Sequence, residues 1–162
     1  MYEIMQILFR TLLALYLAHL LADFVFQTHR LVEQKQRGQP FAYLAHGLIH
    51  YLCAILLAGF FIPGTIVVLR THLVIGGLTL AHLLIDLAKM RLAARHKAGK
   101  GAGAYVAGQL AHFLTVALAA WLLSPGVSFS VLAIVIASYR RAGNKFLAVP
   151  VIYLGVIFGG GY

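Results

Sequence analysis

Carboxylate side chains are nearly missing from this chain. Its 162 residues include four, Glu3, Asp23, Glu33 and Asp86, against thirteen lysines and arginines. Cysteine is reduced to Cys53, alone inside an apolar run, so no internal disulfide can form and the redox compartment leaves no mark. A phosphate-binding glycine loop, a GxSxG elbow and a CxxC pair are also absent, which removes the usual signatures of P-loop, serine-hydrolase and dithiol chemistry. Charged residues make up 10% of the chain and hydrophobic ones 62%, with a mean hydropathy of +0.90. A soluble domain of this length has too little interior to hide so much apolar surface, so the composition predicts an all-α polytopic membrane protein.

The formal charge of +9 does not predict nucleic-acid binding, because the basic residues lie in short gaps between apolar runs. Four runs, at residues 4–27, 41–62, 66–88 and 104–124, are long enough to cross ~30 Å of hydrocarbon at ~1.5 Å per residue. Two shorter runs, 127–139 and 146–160, bring the expected number of membrane helices to six, as tilted helices or a re-entrant hairpin bent at Pro150. Pro40 can open the second helix; Pro63-Gly64 and Pro125-Gly126 close the second and fourth. Arg30, Lys35 and Arg37 follow the first run, Arg91, Arg95, Lys97 and Lys100 the third, and Arg140, Arg141 and Lys145 the fifth. This alternation puts those loops in the cytoplasm and the N-terminus outside. No secretory leader is expected, since Glu3 is the only charge before Arg10 and no small-residue cleavage site precedes residues 18–23.

The motif AHLLAD at residues 18–23 returns as AHLLID at 81–86, with five of six positions identical. The Ala-His pairs at 45–46 and 111–112 and the two Pro-Gly pairs repeat at nearly the same interval. The expected unit is a duplicated helical hairpin in parallel orientation over residues 1–125, with 126–162 as a C-terminal hairpin within one integral-membrane domain.

Ionisable groups are costly in lipid and tend to face a protein interior, an aqueous cavity or a metal. Residues four apart share a helix face, so His19 projects with Asp23, His46 with His50, and His82 with Asp86. Gln27 and Lys89 continue the first and third stripes, and Gln109 with His112 marks the fourth helix. Counted from the basic loops, all of these fall at one depth near the cytoplasmic edge, so five histidines and two aspartates from four helices can converge. Imidazole and carboxylate suit Zn²⁺, Fe²⁺ or Mn²⁺, and helix bundles build di-metal sites from such inward-facing pairs. We therefore expect His19, Asp23, His46, His50, His82, Asp86 and His112 to hold one or two divalent metals, zinc first among them.

The expected activity is metal-dependent hydrolysis of a phosphoester or lipid-derived group. Asp23 or Asp86 would act as base, while Gln27, Lys89 and Gln109 orient substrate and meet developing negative charge. Four other readings use the same residues. The histidines can bond backbone carbonyls as packing groups, or the site can hold a non-catalytic metal. A bis-histidine haem can use His19 with His82 or His46 with His112, but it gives no reason for the aspartates. A metal-ion or proton transporter can run through acid/His chains. His29 and His96 sit in basic loops, and His72 lies near the opposite face and outside the cluster. Arg10 and Arg70 can snorkel from the outer helix ends. The basic loop at 89–100 can attract anionic lipid headgroups of the surrounding bilayer. The sequence carries no indication of oligomeric state.

Four blocks, HLLADFVFQ (His19–Gln27), HGLIH (His46–His50), HLLIDLAK (His82–Lys89) and GQLAH (Gly108–His112), resemble a bacterial integral-membrane family of unknown function (domain of unknown function thirty-three-oh-seven) over roughly residues 10–120. The resemblance implies a place in a bacterial inner membrane but no activity. Gly108 stands where that family usually has aspartate, which removes one potential ligand or base. More remotely, the arrangement is similar to membrane-bound metal-dependent hydrolases of bacteria.

Overall fold

In a computed structural model that describes residues 2–62, 64–95 and 101–124, five α-helices follow one another. These are α1 (Tyr2–Leu20), α2 (His29–Gln36), α3 (Pro40–Phe61), α4 (Leu69–Arg95) and α5 (Ala102–Leu123), with no strand among the described residues. All belong to the unit Met1–Pro125. Four stretches, Gln6–Val25, Pro40–Phe61, Leu69–Arg95 and Ala102–Leu123, are long and apolar enough to cross a membrane, which suggests an integral membrane protein. The shorter runs at 127–139 and 146–160, and the basic residues at 140–145, lie outside the described residues.

The four long helices form a ring in which α1 packs on α3 and α5, and α4 packs on α3 and α5. Their outward faces are apolar: Leu13, Leu44, Leu56, Phe60 and Leu73 are all well exposed. That pattern belongs in lipid, since water would face a contiguous apolar belt. One half of the interior is apolar, built on Leu15, Ala18, Ala54, Ile55, Ile75, Val116 and Ala120. Its many alanines let the backbones approach closely, which is how helices associate where lipid is as apolar as leucine. Thr11 and Ser124, also buried there, satisfy their hydroxyls on the carbonyls of Ile7 and Ala120. The other half of the interior is polar.

Two elements differ from the sequence reading. The connection after the first span, expected as a loop, contains α2. Thr28 caps its start, its hydroxyl accepting the Leu31 N–H at 3.3 Å. Gly38, at φ +72°, ends it: the N–H groups of Gly38 and Gln39 return to the carbonyls of Lys35 and Gln34. This paired closure needs a left-handed residue, which glycine adopts without steric cost. The third apolar run stops at residue 88, yet its helix continues to Arg95. Helix α4 thereby carries Lys89 and Arg91 beyond the apolar section, toward the end of the bundle where α2 lies. We refer to this as the basic end.

Candidate metal centre

Each long helix contributes to the polar half. Helix α1 supplies His19 at its last turn and continues as one wide turn, Leu21–Val25, in which the Phe26 N–H reaches back five residues to the Leu21 carbonyl. Asp23 sits within this widened turn, a distortion that recurs at functional positions in helices. Helix α3 brings His46 and His50 one turn apart, α4 brings His82 and Asp86, and α5 brings His112. The five histidines are at most 7% exposed.

Their nitrogens converge on the two carboxylates. Asp23 Oδ1 lies 2.9 Å from His50 Nε2, 3.3 Å from His46 Nε2 and 3.5 Å from His82 Nε2, and Asp23 Oδ2 lies 3.7 Å from His19 Nε2. Asp86 Oδ2 is 3.5 Å from His46 Nε2 and 3.7 Å from His82 Nε2, and its Oδ1 is 3.4 Å from His112 Nε2. All seven residues singled out in the sequence thus meet in one cluster, and every histidine presents the same ring nitrogen.

These separations can be compared with those of hydrogen bonds and of metal ligands. Hydrogen bonds from ring N–H to carboxylate run about 2.7–3.2 Å, and of the seven N···O distances only His50–Asp23 falls there. The other six, at 3.3–3.7 Å, lie close to the ~3.3 Å that separates two ligands of a tetrahedral ion with bonds of ~2.0–2.1 Å. His46 Nε2 and His82 Nε2 also face one another at 3.1 Å. The buried Nε2 atoms of His19 and His112 have no hydrogen-bond partner among the described residues, although unpaired buried polar atoms are rare. Two groups have donor atoms within 4.8 Å of one another and could hold a metal ion: His19, Asp23, His50 and His82, and His46, His82 and Asp86. His82 is therefore the ring that the two groups share. His112 belongs to neither group and touches Asp86 instead. Nδ1 of His46 and of His112 has no acceptor among the described residues. The second hydrogen bond that commonly orients a ligating imidazole is therefore not supplied by described protein groups at these two rings.

Lys35 escaped the sequence reading, which grouped it with charges that set topology. It is 4% exposed, and its Nζ lies 2.9 Å from Asp86 Oδ2. The ion pair is held by α2, which is fastened in turn by the Tyr43 hydroxyl, within donor distance of the Lys35 carbonyl and of Met90 Sδ. The available signal was the capping Thr28 and the closing Gly38, which together mark two turns of helix between spans.

Gln27, Lys89 and Gln109 line a cavity of ≈ 730 Å³, counted with its mouth, together with Asp23, Asp86 and Lys35. The three residues expected to face substrate therefore share one space with both aspartates. Gly108 belongs beside this cavity rather than in the ligand layer. A Cβ there would meet Lys89 Cδ and Cε at 2.7 Å and Nζ at 3.0 Å. An aspartate at this position would have met the lysine first; glycine lets the lysine lie across α5.

Toward the other end of the bundle, His72 forms a separate clasp. Its Nε2–H donates to the Ile66 carbonyl and its Nδ1 accepts from the Tyr51 hydroxyl, both at 2.6 Å. Arg70 donates to the Leu122 carbonyl, fastening α4 to α5. His29 opens α2 and is exposed; His96 lies outside the described residues.

No curated protein and no solved structure matches the chain. One family pattern covers residues 11–139, which takes in all four motif blocks, and by that match the chain belongs to a family described as protein of unknown function (DUF3307).

Proposed function

We propose that this is a membrane-embedded metal-dependent hydrolase acting on a phosphoester or lipid-derived substrate at the cytoplasmic edge of a bacterial inner membrane, with its N-terminus outside. The observation that carries this reading is the set of N···O separations near the ligand–ligand distance of a metal ion, with two buried Nε2 atoms that have no hydrogen-bond partner among the described residues. In this reading His19, Asp23, His46, His50, His82, Asp86 and His112 hold one or two zinc ions, partitioned around the shared His82. A bound divalent ion would supply Lewis acidity and lower the pKa of water.

The chain's own residues supply the rest. Asp23 and Asp86 are the only acids in the described spans, so one of them takes the proton from the attacking water. Lys35 orients Asp86 through their 2.9 Å ion pair. Gln27 and Gln109 offer amide donors, and Lys89 a positive charge, to an anionic group in the cavity. The two AHLLxD motifs, one per hairpin, are the remains of a duplication that placed an aspartate on each side of the site.

Enzyme is preferred to transporter because the cavity lined by both aspartates also presents Gln27, Lys89 and Gln109, groups suited to an anionic substrate rather than to a cation in transit. Beyond the histidines, toward Leu15, Ile75 and Ala120, the described core is mainly apolar, and the polar groups beside the rings are the hydroxyls of Thr79 and Thr115 rather than further carboxylates. An ion is preferred to haem because Asp23 lies 3.7 Å and 3.5 Å from the Nε2 atoms of His19 and His82, where a macrocycle would have to fit between them.

The test is elemental analysis of protein purified in detergent, followed by turnover of aryl and lipid phosphoesters with zinc, manganese or iron supplied. Stoichiometric metal and hydrolysis lost in Asp23→Asn or Asp86→Asn are expected. Metal-free protein that takes up none of these ions, and turns over nothing, would refute the reading.

A further inference from the structure

A second cavity lies between α4 and α5. It spans ≈ 1110 Å³ with its opening, and its walls are apolar or small: Ile85, Ala88, Leu92, Ala104, Ala107 and Ala111. From residue 85 to 92 it follows α4 for about 10 Å at ~1.5 Å per residue. Lys89, Met90 and Tyr105 line both this groove and the polar cavity that contains Asp23 and Asp86. The two spaces therefore adjoin at Lys89, whose stem crosses α5 over Gly108.

Charge decides what would fill such a junction. The described carboxylates are engaged elsewhere: Asp23 by histidines, Asp86 by Lys35 and histidines, and Glu33 by Arg37. Lys89 forms no ion pair among the described residues. A cation between an apolar groove and a polar cavity is complementary to an anion attached to a hydrocarbon chain. Glutamine amides at Gln27 and Gln109 add donors on the polar side, which suits a phosphate with its several acceptor oxygens.

We infer that the α4–α5 groove takes the hydrocarbon chain of a phosphate-headed lipid from the bilayer, and that Lys89 holds the phosphate at the entrance to the aspartate-lined cavity. The inference rests on the hydrolase reading for the fate of the headgroup, but binding itself requires no turnover. The rest of the chain would remain in the bilayer, since the groove accommodates only its first segment.

The experiment uses full-length protein in nanodiscs of zwitterionic lipid and a long-chain alkyl phosphate carrying a photoreactive group near its head. Crosslinks should concentrate in residues 85–93 and 101–111. Lys89→Gln should weaken capture at least about fivefold, the factor equivalent to ~1 kcal/mol for one basic residue near a membrane surface. Ala107→Trp should block capture by filling the groove, and millimolar inorganic phosphate should not compete. Crosslinks spread evenly over the apolar faces of all four spans would overturn the inference without need of any variant. So would undiminished capture in Lys89→Gln, equal capture of an alkyl carboxylate, displacement by inorganic phosphate, or crosslinking of an Ala107→Cys probe to residues 126–162 or to a second copy. Repeating the capture in Asp23→Asn/Asp86→Asn separates the two readings. Specific capture without any wild-type hydrolysis sinks only the hydrolase, whereas hydrolysis of soluble esters without specific capture sinks only the lipid site.

Discussion

Replacing His82 with alanine removes the one residue common to both potential ligand groups. Loss of an outer partner of a metal ligand typically weakens affinity by about 10–100-fold, so loss of an inner ligand should reach at least the upper figure. At free metal about one hundred times the wild-type Kd, binding stabilises the folded state by about 2.7 kcal/mol. A site weakened a hundredfold keeps only about 0.4 kcal/mol under the same conditions, a loss of about 2.3 kcal/mol. At ~2–4 °C per kcal/mol for a chain of this size, that is about 5–9 °C in Tm. The side chain is also buried against His46 and the aspartates, so its removal costs packing with or without metal. The assay therefore compares melting curves with and without zinc for each protein, and the packing cost cancels in the difference. His112→Ala, outside both groups, should lose less of the zinc-dependent increment than His82→Ala. An increment equal to wild type in His82→Ala would refute the shared-ligand geometry.

Other substitutions probe other parts of the same arrangement. Asp23→Asn and Asp86→Asn should leave inserted, folded protein whose turnover falls by about 10²–10⁴, the usual contribution of a positioned general base; folded variants with full activity would exclude the hydrolase. Lys35→Met removes the one cation that, among the described residues, is paired with the largely buried Asp86 and should cost about 1–3 kcal/mol in metal-free protein, and added zinc should recover more stability there than in wild type because the ion supplies the missing positive charge. Thr28→Ala should cost about 1 kcal/mol by uncapping α2, with faster amide exchange confined first to His29–Gln36. His72→Ala, at the opposite end, should lower Tm through the lost Tyr51 and Ile66 hydrogen bonds yet leave metal content unchanged. Cysteines placed at the exposed positions Arg30 and Arg37 should label only from the cytoplasmic side, and labelling from outside intact cells would reverse the orientation proposed here.

Much of this protein is readable from local pattern. Membrane spans announce themselves because lipid demands about twenty apolar residues and the backbone bonds within its own segment, conditions met residue by residue along the chain. The pairing of His19 with Asp23, His46 with His50 and His82 with Asp86 follows from helical periodicity alone, and their common distance from the basic loops placed them in one layer. Periodicity does not set the rotation of one helix about its axis relative to another. Only the packed ring of α1, α3, α4 and α5 decided that Nε2 atoms from all four helices meet on the two aspartates, that His82 is shared, and that His112 stands beside the ligand groups. Lys35 shows the same limit more sharply. Its neighbours in sequence are polar and solvated, and nothing within a few residues says that α2 folds back against the bundle. Its partner Asp86 lies 51 positions away. The junction at Lys89 likewise depends on Gly108 approaching from another helix, a contact that exists only once both are packed.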